Sequence, residues 1–160
     1  MNGVLTGPTA KHSAVQEVEA ELHVLLARVR RRSREAARRI HPELNAVGYA
    51  VLLRVARGEA TRAADLVAGL GLDKGLVSRQ IGQLERLGLV ERRADPADAR
   101  VQRISATPEG RRAVEETIEA GRANLQRSLS TWSPAEIAAF AEQLRRYNET
   151  LEPKGRPPRG

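Results

Sequence analysis

Apolar residues recur at intervals of three and four along much of this chain, the spacing at which they share one face of an α-helix. The first series consists of Val15, Val18, Leu22, Leu25, Leu26 and Val29. It predicts a long helix that ends near Ile40, because Pro42 cannot continue it. A second, short helix is predicted over residues 45–57, and its packing residues are expected to be Val47, Ala50, Val51 and Leu53.

The following stretch has the pattern of two short helices joined by a tight, glycine-rich turn. Thr61 stands where it can cap the first helix, over residues 62–69, and Asp73 stands where it can cap the second. The second helix is expected to turn inward Val77, Ile81, Leu84 and Leu87. Gly88 suits the left-handed residue that follows a helix end, so the segment predicts a helix-turn-helix unit.

Two short candidate strands come next, at residues 89–93 and 101–105, and an Asp-Pro pair between them favours a turn. They predict a two-stranded β-wing. Two amphipathic helices follow, and each begins with a capping residue before a proline, at Thr107 and Ser133. The fold class is therefore mainly α with a small β-wing, a winged helix-turn-helix lobe with long helices at both ends.

A chain of 160 residues suits one domain, since about 100–200 residues per domain is usual. Its ends, residues 1–12 and 152–160, carry glycine and proline with little periodicity and predict disordered tails. The domain between them, residues 13–151, divides into long terminal helices at 13–40 and 108–151 and a lobe at 45–106. The lobe has too little surface to cover every apolar stripe, so the long helices are expected to pair with a second chain.

The amino-acid composition limits the classes of function that this protein can have. Lysine and arginine outnumber aspartate and glutamate by 27 to 20, a formal charge of +7 that attracts polyanions such as nucleic acid. Charge alone leaves open a merely soluble basic protein. The absence of cysteine excludes disulfides, zinc-thiolate sites and thiol sensing. No apolar run reaches the roughly 18 residues of a membrane span, and residues 1–11 lack the core of a secretory signal, so we expect a cytoplasmic protein without a membrane partner.

A search for catalytic chemistry finds no constellation of residues. His12, His23 and His41 are far apart in the sequence. Glu19 and His23 lie four residues apart on one helix, but without further ligands they are interpreted as an ordinary surface pair. We therefore expect no enzyme activity, no metal and no cofactor.

Several segments resemble the multiple-antibiotic-resistance regulator (MarR) family. They are HPEL at 41–44, ADL at 64–66, GLDK at 71–74, VSRQI at 77–81, LERLGLVER at 84–92, DPADAR at 95–100 and TPEGR at 107–111. The region that holds them, residues 41–111, covers about half of the chain, and their dense spacing makes the resemblance specific. The resemblance implies a homodimer of winged helix-turn-helix subunits that bind double-stranded DNA and regulate transcription. A repressor on a pseudo-palindromic operator is expected.

The predicted DNA-binding residues follow from this arrangement. They are Lys74, Gly75, Ser78, Arg79, Gln83, Arg92, Arg93, Asp98, Arg100 and Arg103. Arg79, on the outer side of the second helix, is expected to read a guanine edge in the major groove, with a solvated surface residue as the alternative. Arg100 is expected to enter the minor groove with Asp98 holding its guanidinium. The three strand arginines either contact phosphates or lie on a solvated strand face.

The family also binds small effectors, often aromatic and anionic, between the DNA lobe and the dimer helices. The residues that would line such a site here are His23, Arg30, His41 and Tyr49, each of which is equally a packing or surface residue. Seven arginines between residues 28 and 39 are interpreted either as a solvated helix surface or as a contact for DNA or an acidic partner. The alternative function is a winged helix that binds an acidic protein.

Overall fold

The computed structural model describes residues 8–59, 61–95, 98 and 101–151. Its elements, in chain order, are α1 (Pro8–Ile40), α2 (Ala46–Ala56), α3 (Ala63–Leu70), α4 (Lys74–Arg86), β1 (Val90–Ala94), β2 (Gln102–Ala106), α5 (Pro108–Ser128) and α6 (Pro134–Leu151). The strands are antiparallel, with Val90 opposite Ala106 and Arg92 opposite Ile104. The mainly helical fold with a two-stranded wing is thus confirmed.

The N-terminal boundary differs from its prediction. Helix α1 begins at Pro8, so residues 8–12 are helical rather than part of a disordered tail, and a start at residue 13 is too late. Proline is favourable in a first helical turn, because the amide it lacks would have no partner there, which is why Pro8 starts the helix. Residues 1–7 and the predicted tail 152–160 lie outside the described part of the chain.

The chain divides into two compact units, with the boundary after Thr117 in the middle of α5. The first unit holds a core built almost entirely of aliphatic side chains. Its fully buried members include Val51, Leu52, Leu66, Val77, Ile81, Leu84 and Val114. An interior of this kind is expected for a chain in which aromatic residues make up only 2%.

The buried face of α2 is rotated from the predicted one. Gly48, Val51, Leu52 and Val55 are buried, whereas the predicted packing residues Val47, Ala50 and Leu53 are only half-buried. Gly48 faces two side chains: a Cβ atom there would lie 2.7 Å from Leu44 Cδ1 and 2.8 Å from Gln80 Oε1 of α4. The buried arc of α2 therefore combines this glycine with the apolar residues Val51, Leu52 and Val55.

Helices α4 and α6 are capped by the residues predicted from the sequence, whereas the start of α3 differs from its prediction. Asp73 Oδ1 accepts a 2.8 Å hydrogen bond from the Leu76 amide, and Ser133 and Glu136 form the predicted capping box. The hydrogen bonds from the backbone and hydroxyl of Ser133 lower the pKa of Glu136. Thr61 does not cap α3: its carbonyl accepts a 2.7 Å bond from Ile104, while the helix begins with the Arg62 amide donating to Asp65.

The start of α5 packs tightly on the end of the helix-turn-helix unit. The Thr107 hydroxyl donates to the Gly88 carbonyl at 2.7 Å and accepts from the Gly110 amide at 3.0 Å. Gly88 has a φ of 70°, the left-handed conformation that the sequence predicts. Gly110 is buried, and a Cβ atom there would lie only 2.0 Å from the Leu89 carbonyl oxygen. Glycine is thus required at position 110.

The second unit contains the end of α5 and all of α6. No residue of α6 is buried within the described chain. Its apolar side chains form one stripe, which comprises Ile137, Phe140, Leu144, Tyr147 and Leu151. Trp132 stacks edge-on against Phe140 with ring centroids 5.6 Å apart, so part of this stripe is already ordered within one chain.

We expect Gly110→Ala to lower the free energy of unfolding by at least about 2 kcal/mol, because backbone atoms cannot move away from the new methyl group as a flexible side chain can. The matched control is Gly82→Ala, in the middle of α4, where a Cβ atom meets nothing within 4 Å. It should raise stability by about 0.5–1 kcal/mol through helix propensity. Urea denaturation of both variants checks this, and equal stabilities would contradict the packing described.

Candidate nucleic-acid interface

Helix α4 has one face in the core and one in water. Val77, Ile81 and Leu84 are buried, as predicted, while Lys74, Gly75, Ser78 and Arg79 are exposed. The Asp73 cap fixes the start of the helix, and the buried face fixes its rotation. The first two turns of α4 therefore present a small, polar and basic surface on a rigid support.

Arg79 is the most prominent side chain of this surface. Its Nη1 lies 3.6 Å from the position that a Cβ atom would occupy at Gly75, so the guanidinium lies back along the helix towards its N-terminus. No acidic side chain of the described residues forms an ion pair with Lys74 or Arg79. Both positive charges are thus available to an external anion.

The surroundings of Gln83 differ from those of the other predicted DNA-contacting residues of α4. It is half-buried, and its Nε2 donates a 2.7 Å hydrogen bond to the Glu43 carbonyl. The Glu43 amide in turn donates to His41 Nδ1 at 3.2 Å. Gln83 therefore ties α4 to the turn between α1 and α2, a structural contact that its position in the sequence does not reveal.

All three strand arginines are engaged in ion pairs within the lobe. Arg92 Nε lies 3.1 Å from Glu85 of α4, and Arg93 Nη2 lies 2.7 Å from Glu91. Arg103 Nε lies 2.7 Å from Asp95. The sequence predicted either phosphate contact or a solvated strand face for these arginines, and neither alternative included ion pairs within the protein. The arginine side chains remain 41–71% exposed, so some of their N–H donors are left on the surface.

The base of the wing is held to α3 by a buried carboxylate. The Asp95 side chain is only 2% exposed, and its Oδ2 accepts from Arg103 Nε at 2.7 Å and from Arg62 Nη2 at 3.1 Å. Beside it, the Ile104 amide donates to the Thr61 carbonyl at 2.7 Å. We call these contacts of Arg62, Asp95, Arg103, Thr61 and Ile104 the wing latch. They connect both strands of the wing to the start of the helix-turn-helix unit.

The tip of the wing is described only in part. Asp98 is exposed; its amide donates to the Asp95 carbonyl at 3.2 Å and its carbonyl accepts from Val101 at 2.9 Å. Arg100, the predicted minor-groove residue, lies outside the described residues. The pairing of Asp98 with Arg100 therefore stays a prediction.

The four predicted effector residues have two different environments. His23 and Arg30 are exposed on α1, whereas His41 and Tyr49 are half-buried near the junction of α1 and α2. Burial raises the pKa of Tyr49, and the Arg57 charge opposes this shift. Among the described residues, no hydrogen bond or ion pair joins any two of the four. The effector site thus also remains a prediction.

The described part of the chain shows neither a metal-binding cluster nor a membrane-spanning helix. No group of three or more histidine, aspartate or glutamate side chains there is arranged to hold a metal ion. None of its helices is both long enough and apolar enough to cross a membrane.

Three residues of this region were not predicted from the sequence. Asp95 was interpreted only as a turn former, and Arg62 was given no role, because a contact across 33 residues leaves no local pattern. Gln80 is 7% exposed on the inner side of α4, where an apolar residue is the usual expectation. Its Oε1 has no hydrogen-bond partner within the described structure.

A helix-turn-helix followed directly by a β-hairpin defines the winged helix-turn-helix class, and comparison with known proteins agrees. A sequence model of the MarR family matches residues 44–101. A MarR family protein from Bacillus stearothermophilus superposes with a TM-score of 0.75 at 27% identity, over 88% of this chain and 96% of that one. The chain is thus similar to MarR family proteins in sequence over residues 44–101 and in fold over most of its length.

Two curated relatives are named as HTH-type transcriptional regulators. The HTH-type transcriptional regulator YsmB of Bacillus subtilis is 35% identical over 74 residues, 46% of this chain and 51% of YsmB. The chain thus spans about half the length of that relative. YxaD of the same organism is 28% identical over 64% of this chain and 72% of its own length. These names describe transcription regulators and not enzymes, as the sequence predicts.

The fold is shared with a protein solved on DNA. FabT of Streptococcus pneumoniae, in complex with DNA, superposes with a TM-score of 0.76 over 86% of this chain and 96% of that one. The two sequences are 19% identical, so this likeness concerns the fold alone.

We expect Asp95→Ala to lower the free energy of unfolding by about 1–3 kcal/mol, because it leaves two guanidinium groups without their shared buried acceptor. The matched control is Glu116→Ala, which removes the acid of an exposed pair with Arg112 and should cost less than about 0.5 kcal/mol. Thermal denaturation followed by circular dichroism compares the two. A loss of stability no larger at Asp95 than at Glu116 would contradict the wing latch.

Proposed function

We propose that this chain is a sequence-specific regulator of transcription that binds double-stranded DNA as a homodimer and represses from a pseudo-palindromic operator. The observation that carries the proposal is the exposed start of α4, a rigid surface on which Lys74 and Arg79 have no acidic partner among the described residues. The similarity to the MarR family over residues 44–101 and the wing support the same role.

The major groove, about 12 Å wide, accepts one α-helix whose first turns meet base edges. Lys74, Ser78 and Arg79 lie in those turns of α4. A guanidinium has two adjacent N–H donors that match O6 and N7 of guanine, which makes Arg79 the proposed base contact. Gly75 beside it adds no side chain that would hold the helix away from the groove.

The arginines of the wing are proposed to contact the backbone. Each guanidinium has five N–H donors, and one ion pair occupies only one or two of them. Arg92, Arg93 and Arg103 keep enough exposure to reach a phosphate while their acidic partners hold them in place. Arg100 is proposed to enter the minor groove beside Asp98.

The homodimer is supported by apolar surface that each unit leaves in water. On α1, the exposed series comprises Val15, Val18, Val24, Leu25, Leu26 and Val29, with exposures of 44–56%. The stripe of α6 is uncovered as well. A second copy of the chain is the proposed cover, and two copies would place two α4 helices on one duplex about one helical turn apart.

The proposal also includes control of DNA binding by a small effector. An aromatic or anionic ligand near His41 and Tyr49, with His23 and Arg30 as outer residues, would relieve repression only if it binds the DNA-competent and DNA-incompetent dimers with different affinity. Because the proposed target is chromosomal DNA, the proposal includes a cytoplasmic location. The alternative function, docking of an acidic protein, predicts instead that DNA competes no better than any other polyanion.

Arg79→Ala should relax the preference for operator DNA over random-sequence duplex by about 1–3 kcal/mol, the discrimination that a bidentate arginine contributes. The matched control is Arg86→Ala, an exposed arginine two turns further along α4, which removes the same charge but stands away from the first turns. Gel-shift titrations with the upstream intergenic DNA, at two salt concentrations, measure the preference. Equal preference in both variants would contradict the assignment of Arg79.

Phe140→Glu should convert a dimer into a monomer, because it places a carboxylate in the centre of the α6 stripe. Ala138→Glu adds the same group on the opposite side of α6 and should leave the dimer intact. Light scattering after size exclusion tests this, with twice the 17.5 kDa chain mass expected for the wild type and the control. A wild-type mass of one chain would refute the homodimer.

A further inference from the structure

The second half of α1 carries an unusual density of positive charge. Its arginines are Arg28, Arg30, Arg31, Arg32, Arg34, Arg38 and Arg39, and all seven are exposed. Glu35 is the one acid among residues 28–39, and its Oε1 lies 3.6 Å from Arg31 Nε. The region therefore has a large uncompensated positive charge.

These arginines lie on one side of the helix. At 3.6 residues per turn they occupy an arc of about 200°, and Glu35 is the only other residue of 28–39 on that arc. The opposite side carries the packed positions Ser33, Ala36, Ala37 and Ile40, which are buried or half-buried. An arc of this width means that the seven arginines cannot all face one groove, as the sequence indicates, but all of them lie opposite the packed positions. We call this surface the arginine face.

Repulsion between neighbouring arginines of the arginine face destabilises this part of α1. Three like-charged pairs stand four residues apart, Arg28 with Arg32, Arg30 with Arg34 and Arg34 with Arg38, and such pairs destabilise a helix. On α5 and α6, by contrast, no two arginines stand four residues apart. Three of their six arginines pair with acids one turn away, in Arg112–Glu116, Arg122–Glu119 and Arg145–Glu142. A face needed only for solubility would be expected to follow the same pattern.

The composition of the arginine face favours a phosphate backbone over a protein. Protein interfaces concentrate their binding energy in Trp, Tyr and Arg side chains packed in a water-excluded centre, and the arginine face has no aromatic or aliphatic residue to form such a centre. Binding to a nucleic-acid backbone needs only cations that replace condensed counterions. Arg30, Arg34 and Arg38 form one row about 12 Å long, a length over which a DNA duplex carries about seven charges.

We infer that the arginine face is a second, sequence-independent surface for the phosphate backbone of duplex DNA, separate from the surface of α4. It would hold DNA outside the bases read by α4, or a second duplex. The inference rests on the proposed function in one respect, because that function brings long DNA to the protein.

The test compares two triple variants with the same net charge. Arg28→Gln, Arg34→Gln and Arg38→Gln together alter the arginine face, while Arg112→Gln, Arg122→Gln and Arg145→Gln alter arginines that already have acidic partners. Each set leaves 24 basic and 20 acidic residues, a formal charge of +4 in place of +7. Binding of the full chain to random-sequence duplex and to upstream DNA is measured by fluorescence anisotropy across a salt series.

For the arginine-face variant, the slope of log affinity against log salt on random-sequence duplex should fall by about 0.9 for each phosphate that is no longer neutralised, up to about 2.7 for three. Affinity at low salt should fall at least tenfold. The control variant should keep the wild-type slope, and both should keep the operator preference that depends on Arg79. Circular dichroism should show α1 at least as stable in the arginine-face variant, because repulsion is relieved.

Equal slopes in the two triple variants would overturn the inference, because the effect would then be one of net charge alone. Unchanged DNA binding together with weaker binding to polyglutamate would also overturn it, in favour of an acidic protein partner. Failure of the proposed function has a different signature: the wild type would show no operator preference and Arg79→Ala no effect, while the arginine-face variant could still lose affinity for random-sequence duplex.

Discussion

The arrangement of this lobe depends on one buried carboxylate. Asp95 sits at the end of the first wing strand and accepts hydrogen bonds from Arg103 of the second strand and from Arg62 at the start of α3. A two-stranded hairpin is only marginally stable alone. The carboxylate and the adjoining Ile104–Thr61 hydrogen bond therefore give the wing a fixed orientation relative to the helix-turn-helix unit. The wing and α4 can then meet one partner as a single rigid surface.

Helix α4 is positioned by a second constraint, its close contact with α2. Gly48 of α2 faces the Gln80 side chain of α4, and Gln83 holds the outer edge of α4 to the turn that follows α1. The opposite side of α4 is left exposed. Its charges differ in kind from those of the wing: Arg79 has no acidic partner among the described residues, whereas the wing arginines are each held by one. The difference is consistent with the proposed roles, in which Arg79 contacts bases and the restrained wing arginines contact phosphates.

Sequence patterns were sufficient for features set by neighbouring residues. Helix ends at Asp73, Gly88 and Ser133, and the inward set on α4, follow from local hydrogen bonding and periodicity, and the structure confirms them. Contacts between distant segments had no such signal. Gly48 of α2 faces Gln80 of α4, the Ile104 amide donates to the Thr61 carbonyl, and Asp95 reaches Arg62 across 33 residues. The sequence predicts which residues of the start of α4 are exposed, but not the ion pairs that hold the strand arginines.

The central claim is that two α4 helices, carried by two copies of this lobe, read one duplex from the same side. Hydroxyl-radical footprinting of the wild-type chain on its upstream intergenic DNA tests this most directly. The account predicts two protected segments with related sequences, centred about one helical turn apart on the same face of the duplex. A single protected segment, or uniform protection along the fragment, would contradict it.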